Sequence, residues 1–194
     1  REKVSTFSEC EKLEFASPVG ACEAFVTTGG SSTCPWTFEG KVKNYDYKTV
    51  RYPGHYEKVK CMMDLGFLDT QPISVRTAEG ARANISPREL FHELIPQKLS
   101  FPKDKDLVVL RVEARGKKAG AMQSLKYDLM DFHCEKTGFT AMERSTSYPA
   151  AQVLIEAAEG RAQKGVRPLE LALNNREYLK GLLRSDIKIA GLAL

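Results

Sequence analysis

Two runs of alternating apolar and polar residues, Leu107 to Arg115 and Ala121 to Asp131, flank the pentapeptide Gly116-Lys117-Lys118-Ala119-Gly120. Period-two alternation marks a half-buried strand, and two such runs joined by a short Gly-containing segment read as a β-hairpin. Val108, Leu110 and Val112 share one face of the first arm, and Leu125, Tyr127 and Leu129 share one face of the second. Arg111, Lys126 and Asp128 fall on the other side, which faces either solvent or a polar interface. Such alternation fits an antiparallel sheet covered on one face, so the rest of the chain must supply a covering layer.

The remaining segments supply both strands and helices. Residues 10 to 15 and 21 to 27 read as strands around the turn Ser17-Pro18-Val19-Gly20. Thr27 to Gly40 is too rich in Gly, Ser and Thr for regular structure and long for a connection within a domain, which hints at function. Lys41 to Tyr52 follows as a strand, with Val42, Tyr45 or Tyr47, and Val50 on the sheet. After Pro53-Gly54 the spacing of Tyr56, Val59, Met62 and Met63 predicts a helix over 55–65, closed by Gly66 at C′. Ser86, Pro87 and Glu89 predict the next helix start, with Leu90, Phe91, Leu94 and Ile95 as its buried stripe. A further helix is expected from Ser145 to about Glu159, with Ala150, Val153, Leu154 and Ala157 inward, then one over 175–183 and a short strand over 187–189. The fold class is therefore α+β, a mixed, largely antiparallel sheet with helices on one face.

Composition agrees with a folded chain: 194 residues, 42% hydrophobic and 28% charged. A compact body of this size exposes roughly 9,000 Å² of the roughly 31,000 Å² of its unfolded chain, enough burial for a core without disulfide or metal staples. The net charge is only +4 and no run concentrates it, which argues against nucleic acid as partner. The five cysteines are far apart and form no metal-ligand pair, so they read as free thiols in a reducing compartment. No run of 18 apolar residues is present for a membrane span, and Arg1-Glu2-Lys3 opens no secretory signal.

A search for chemistry finds no G-x-G-x-x-G, Walker loop or G-x-S-x-G. None of the three histidines is spaced with another His or Cys for a metal. What remains is Arg51-Tyr52-Pro53-Gly54-His55, where a strand end delivers an Arg and a Tyr to a helix start with free amides. Arg grips a carboxylate through two parallel hydrogen bonds, and the helix start favours the same charge, so the segment reads either as an anion pocket or as a surface Arg at a turn. His55 is either a catalytic base or an ordinary polar residue at a helix start. The loop Thr27 to Thr33 either binds a ligand or is solvated, and Ser145-Thr146-Ser147 either holds an anion or simply caps its helix. Met62-Met63 and Trp36 read as packing residues.

The run TTGGSSTCPWTFEGKVKNYDYKTVRYPGHYEKVKCMMDLGF, residues 27 to 67, resembles the central signature of the saccharopine dehydrogenase family, with its D-Y-K-T-x-R-Y-P-G-H segment and D-L-G-F helix end. GFTAMERSTSYPAAQVLIEAAEGRAQKGVRPLE resembles a later family segment, with Leu169 in place of a second proline. The resemblance implies that residues 1–194 are the substrate-binding and dimerisation domain of a longer enzyme whose N-terminal NAD(P)-binding Rossmann domain is absent from the chain. It implies a fold like the C-terminal domains of glyceraldehyde-phosphate dehydrogenase and dihydrodipicolinate reductase, with a homodimer formed through the sheet face. The implied parent activity is NAD- or NADP-dependent oxidation at the C–N bond of lysine, saccharopine or a similar amino acid in the cytoplasm. By the same resemblance Arg51 clamps the substrate carboxylate, Tyr52 and His55 line the pocket, Gly29, Gly30 and Ser31 close over the ligand, and Thr146 and Ser147 face the cofactor cleft. The catalytic acid or base is expected on the missing domain, so the chain alone is expected to bind no cofactor and to be inactive. The contrasting reading is a non-catalytic dimerisation or ligand-binding module that retains the fold.

Overall fold

Residues 2–191 are described by the computed structural model, and they form two compact units that divide between Lys103 and Asp104. In the first, β1 (Ser8–Glu14) pairs antiparallel with β2 (Ala21–Val26) across the turn at Ser17–Gly20, where Gly20 takes a left-handed φ of 71°. β2 is the central strand, hydrogen-bonded on its other edge to β3 (Thr49–Arg51). Both its faces are covered: Cys22 and Ala24 are buried on one and Phe25, fully inaccessible, on the other. The expected strand over 41–52 shrinks to Thr49–Arg51, because β2 ends at Val26 and offers residues 41 to 48 no strand edge to pair with. The polar loop, expected to be irregular, contains a one-turn helix, α1 (Cys34–Thr37), with Pro35 in its first turn.

Helix α2 (His55–Asp64) follows β3 as expected. It ends in a Schellman arrangement: Gly66, φ 83°, donates to the Met63 carbonyl, and the Phe67 amide to that of Met62. A small hairpin, β4 (Ile73–Arg76) and β5 (Arg82–Ile85), was not expected, since four-residue strands give too short an alternation to read. The Ser86 hydroxyl then caps α3 (Pro87–Lys98) by accepting from the Glu89 amide at 3.5 Å. The stripe expected to be buried is not: Leu90 and Leu94 are about half exposed, at 49% and 54%. The short β4–β5 hairpin cannot cover a 12-residue helix.

The second unit is built on the long hairpin β6 (Leu107–Lys118) and β7 (Ala121–Phe132). Its arms continue through the segment expected to be a five-residue loop. Only Ala119 and Gly120 turn, both at positive φ (50° and 83°), which is the type I′ geometry that matches strand twist. Leu110 lies opposite Leu129 and Val112 opposite Tyr127, so the expected apolar residues share a face, but it is not covered along its length: Leu110, Val112 and Leu125 each stay about half exposed. Helix α4 (Ala141–Ala158) packs against both arms and begins four residues before the expected start, because Thr140 and Glu143 form a complete capping box. Asp106 adds a second cap, accepting from the amides of Ala141 (2.7 Å) and Met142 (2.8 Å). α5 (Leu169–Ala172), α6 (Asn175–Arg184) and β8 (Ile189–Ala190) complete the unit, with β8 pairing on β7.

The inner face of α4 also differs from expectation. Its buried residues are Ala141, Arg144, Gln152 and Glu156, not Ala150, Val153, Leu154 and Ala157. Arg144 forks onto Asp131 of β7 (2.9 and 3.3 Å), while Glu156 accepts from Gln152 (2.8 Å) and from both arms of Arg161 (2.7 and 3.0 Å). Polar side chains go inward here because each finds a partner.

The architecture is thus α+β, with every strand pairing antiparallel, distributed over three small sheets. Surface area corrects the sequence estimate. The chain exposes 14653 Å², whereas even two independent globules of half its mass would expose roughly 11,000 Å² together.

Candidate functional site

The turn from β3 into α2 places the best-defined group of expected site residues. Pro53 and Gly54 reverse the chain, and Gly54 sits at φ 90°, a conformation that favours glycine. As the N-cap of α2, Gly54 has no side chain to satisfy the helix's free amides. Glu23 does so from β2. It lies directly across from Arg51 in the β2–β3 register, and its carboxylate accepts from the Gly54 amide at 3.2 Å and the Tyr56 amide at 2.5 Å. The partial positive charge of the helix start is therefore already met by the chain's own carboxylate. The expected anion pocket loses that component.

Arg51 is exposed, and its guanidinium donates to the carbonyl of Val50 at 2.8 Å. Tyr52 is also exposed. The His55 ring stacks on Phe25 with centroids 6.0 Å apart and 21° between planes. Burial and the Arg51 charge hold His55 below the usual histidine range, and Glu23 works in the opposite direction. Beneath this corner lies an aromatic cluster: Phe25 meets Phe7 at 5.0 Å and Tyr56 edge-on at 5.1 Å, and the Tyr56 hydroxyl donates to the Phe7 carbonyl at 3.0 Å. The turn thus stands on a packed aromatic floor.

Gly29, Gly30 and Ser31 lie at the opposite end of the β2–β3 pair, beyond Phe25 and Thr49. The two strand steps from Thr49 to Arg51 alone span about 7 Å. The loop base is fixed by the hydroxyl bond between Thr27 and Thr49 (2.5 Å) and by Thr6, which donates to the Thr27 carbonyl (2.7 Å). Gly30 lies close against Tyr47, where a Cβ would come within 2.3 Å of the ring, so a larger residue here requires the tyrosine to move. Arg51, Tyr52 and His55 are brought together; the glycine loop forms a separate feature of the same sheet.

Thr146 and Ser147 belong to the second unit and sit within α4 rather than at its start. The Thr146 hydroxyl points to the Met142 sulfur at 3.7 Å, and Ser147 borders a shallow depression with Phe139, Glu143 and Tyr148. Among the described residues no three His, Cys, Asp or Glu side chains gather as a metal site, and no helix is long and apolar enough to cross a membrane.

Sequence reasoning passed over Glu23. A signal was present: a glycine N-cap leaves the helix amides without a local acceptor, so a carboxylate elsewhere becomes the candidate cap. Residues 2–186 match the family model described as saccharopine dehydrogenase C-terminal domain.

Proposed function

The chain belongs to the saccharopine dehydrogenase C-terminal domain family, and from that premise we propose that it is the substrate-binding and dimerisation domain of an NAD(P)-dependent oxidoreductase. The proposed substrate is an amino acid such as lysine or saccharopine, oxidised at a C–N bond. One observation carries the reading. With the start of α2 filled by Glu23, the exposed Arg51 guanidinium beside His55 is the anion-gripping group of that corner. A guanidinium of this kind takes a carboxylate through paired charge-assisted bonds. Tyr52 and His55 border the bound ligand, and the loop of Gly29, Gly30 and Ser31 contributes a further part of the binding surface.

The described residues do not fit a dinucleotide. Such a cofactor sits at a Gly-rich turn between a strand and a helix of a parallel sheet, whereas every strand pair here is antiparallel. In this reading a separate Rossmann domain holds the nicotinamide and the proton-transfer group, and Thr146 and Ser147 are assigned to the cofactor cleft on resemblance alone. Homodimer formation through the sheet is supported by Leu110, Val112 and Leu125, each about half exposed on one hairpin face. The cytoplasm is the proposed location.

The clamp is tested by Arg51→Ala in the full oxidoreductase. Loss of a charge-assisted bond of about 1.5–3 kcal/mol raises KM for the amino acid roughly 10- to 100-fold. Arg51→Lys, which keeps the charge but not the fork, falls in between. An unchanged KM rules out the clamp.

A further inference from the structure

We propose that Glu23 is a positioning residue of this site: by occupying the first amides of α2 it fixes the turn that carries His55, and it denies that helix start to an external carboxylate, which is thereby directed to Arg51. The last clause rests on the proposed carboxylate-binding function; the rest stands on the chain's own geometry. Three observations support it. Gly54 caps α2 without a side chain, at a φ of 90°. Both oxygens of Glu23 are used, one on the Gly54 amide and one on the Tyr56 amide, so the residue between them, His55, is pinned from both sides. Glu23 also stands opposite Arg51 in the strand register, so one residue ties the start of α2 to the strand end that carries the guanidinium.

Charged groups around His55 come from two strands: Glu23 of β2, which favours its protonated form, and Arg51 of β3, which opposes it together with burial. On β1 the Cys10 thiol is raised first by burial and then by Glu23, with Lys48 acting in the opposite sense and Glu11 in the same one. Glu23 is therefore the shared electrostatic element of the corner.

The test uses the chain itself, without substrate. His55 is titrated by NMR in the wild type, Glu23→Gln and Glu23→Ala, with His92 and His133 as internal references. Removing the carboxylate should move the His55 midpoint to lower pH while the two references stay in place. Acetate added to Glu23→Ala should bind saturably at the vacated amides, raise the thermal midpoint and return His55 toward its wild-type titration, an effect larger than in the wild type, where those amides are already occupied. A His55 midpoint unmoved in Glu23→Gln, or acetate acting equally on the wild type, overturns the proposal. Should Glu23→Ala not fold, Glu23→Asp retains the charge on a shorter arm; a wild-type His55 midpoint there, beside a lowered one in Glu23→Gln, supports the assignment, and equal midpoints in the two variants overturn it. Because no substrate enters, failure of the Arg51 clamp shows separately, in KM.

Discussion

The strand triplet with α2 and the hairpin with α4 solve the same packing problem with opposite materials. Around β2 the interior is apolar and aromatic, with Phe25 closed in by Phe7, Tyr56 and His55. In the second unit α4 turns inward an arginine bonded to Asp131 of the hairpin, a glutamine that lies against Gly181 of α6, and a glutamate, each tied to a partner. Apolar burial is non-directional and tolerates approximate geometry, whereas a buried ion pair stabilises only when its bonds are completed. The first region should therefore respond to lost volume and the second to lost partners.

Phe25→Ala is the largest expected effect. Deleting a fully buried ring costs about 3–5 kcal/mol, read as a lower denaturant midpoint for the first unit, whereas Phe25→Leu costs much less. A loss below about 1 kcal/mol for the alanine variant would mean that the cluster is not the core.

Next comes Asp131→Ala, which leaves Arg144 buried without its carboxylate, among the described residues only the Asp186 carbonyl still accepting from it, and costs about 3 kcal/mol. Here the comparison can be broken outright. Replacing both members, Asp131→Leu with Arg144→Met, should recover most of that loss, because two apolar side chains carry no desolvation cost. If the double variant is no better than the single one, the pair is doing more than satisfying itself, and hydrogen exchange in β7 and α4 would show which element loosens.

Legibility in the sequence follows the same division. Local chemistry was readable: the hairpin, the α2 stop at Gly66 and the Ser86 cap all come from residues adjacent in the chain. The inward face of α4 was not, because apolar periodicity nominates Val153 and Leu154, while burial follows Arg144 and Glu156 to partners 13 residues back and 5 residues ahead. Residues 41 to 48 misled for a related reason, since strand propensity cannot show that the neighbouring strand has already ended. At the site, Arg51 and His55 were visible as a strand-to-helix turn, but Glu23 stands 31 residues from the Gly54 amide it caps. A pairing register was needed to bring them together.

The smallest expected effect concerns acid, and it separates the two regions by the pH at which each weakens. His55 is held below the usual range in the folded chain, by burial first and then by Arg51. The folded state then binds fewer protons than the unfolded one below the unfolded value of about 6.5, so this corner loses stability as pH falls from there through the folded value. The hairpin carries its acid sensitivity on Asp128, which the hydrogen bonds of Arg111 hold below the ordinary carboxylate range, with Lys126 adding to the effect. Its contribution is fully present above the unfolded value of about 3.9 and is lost only as pH falls through the lower folded value. The pair is partly solvated, so about 1 kcal/mol or less is at stake. Residue-resolved hydrogen exchange between pH 7 and pH 5 should therefore show protection falling around Phe25 and α2 while β6 and β7 hold. Asp128→Asn should lower hairpin stability at pH 6 and converge with the wild type once the pH falls below the depressed folded value of Asp128. Equal loss in both regions between pH 7 and pH 5 would remove the pH distinction, leaving only the contrast between volume and partners.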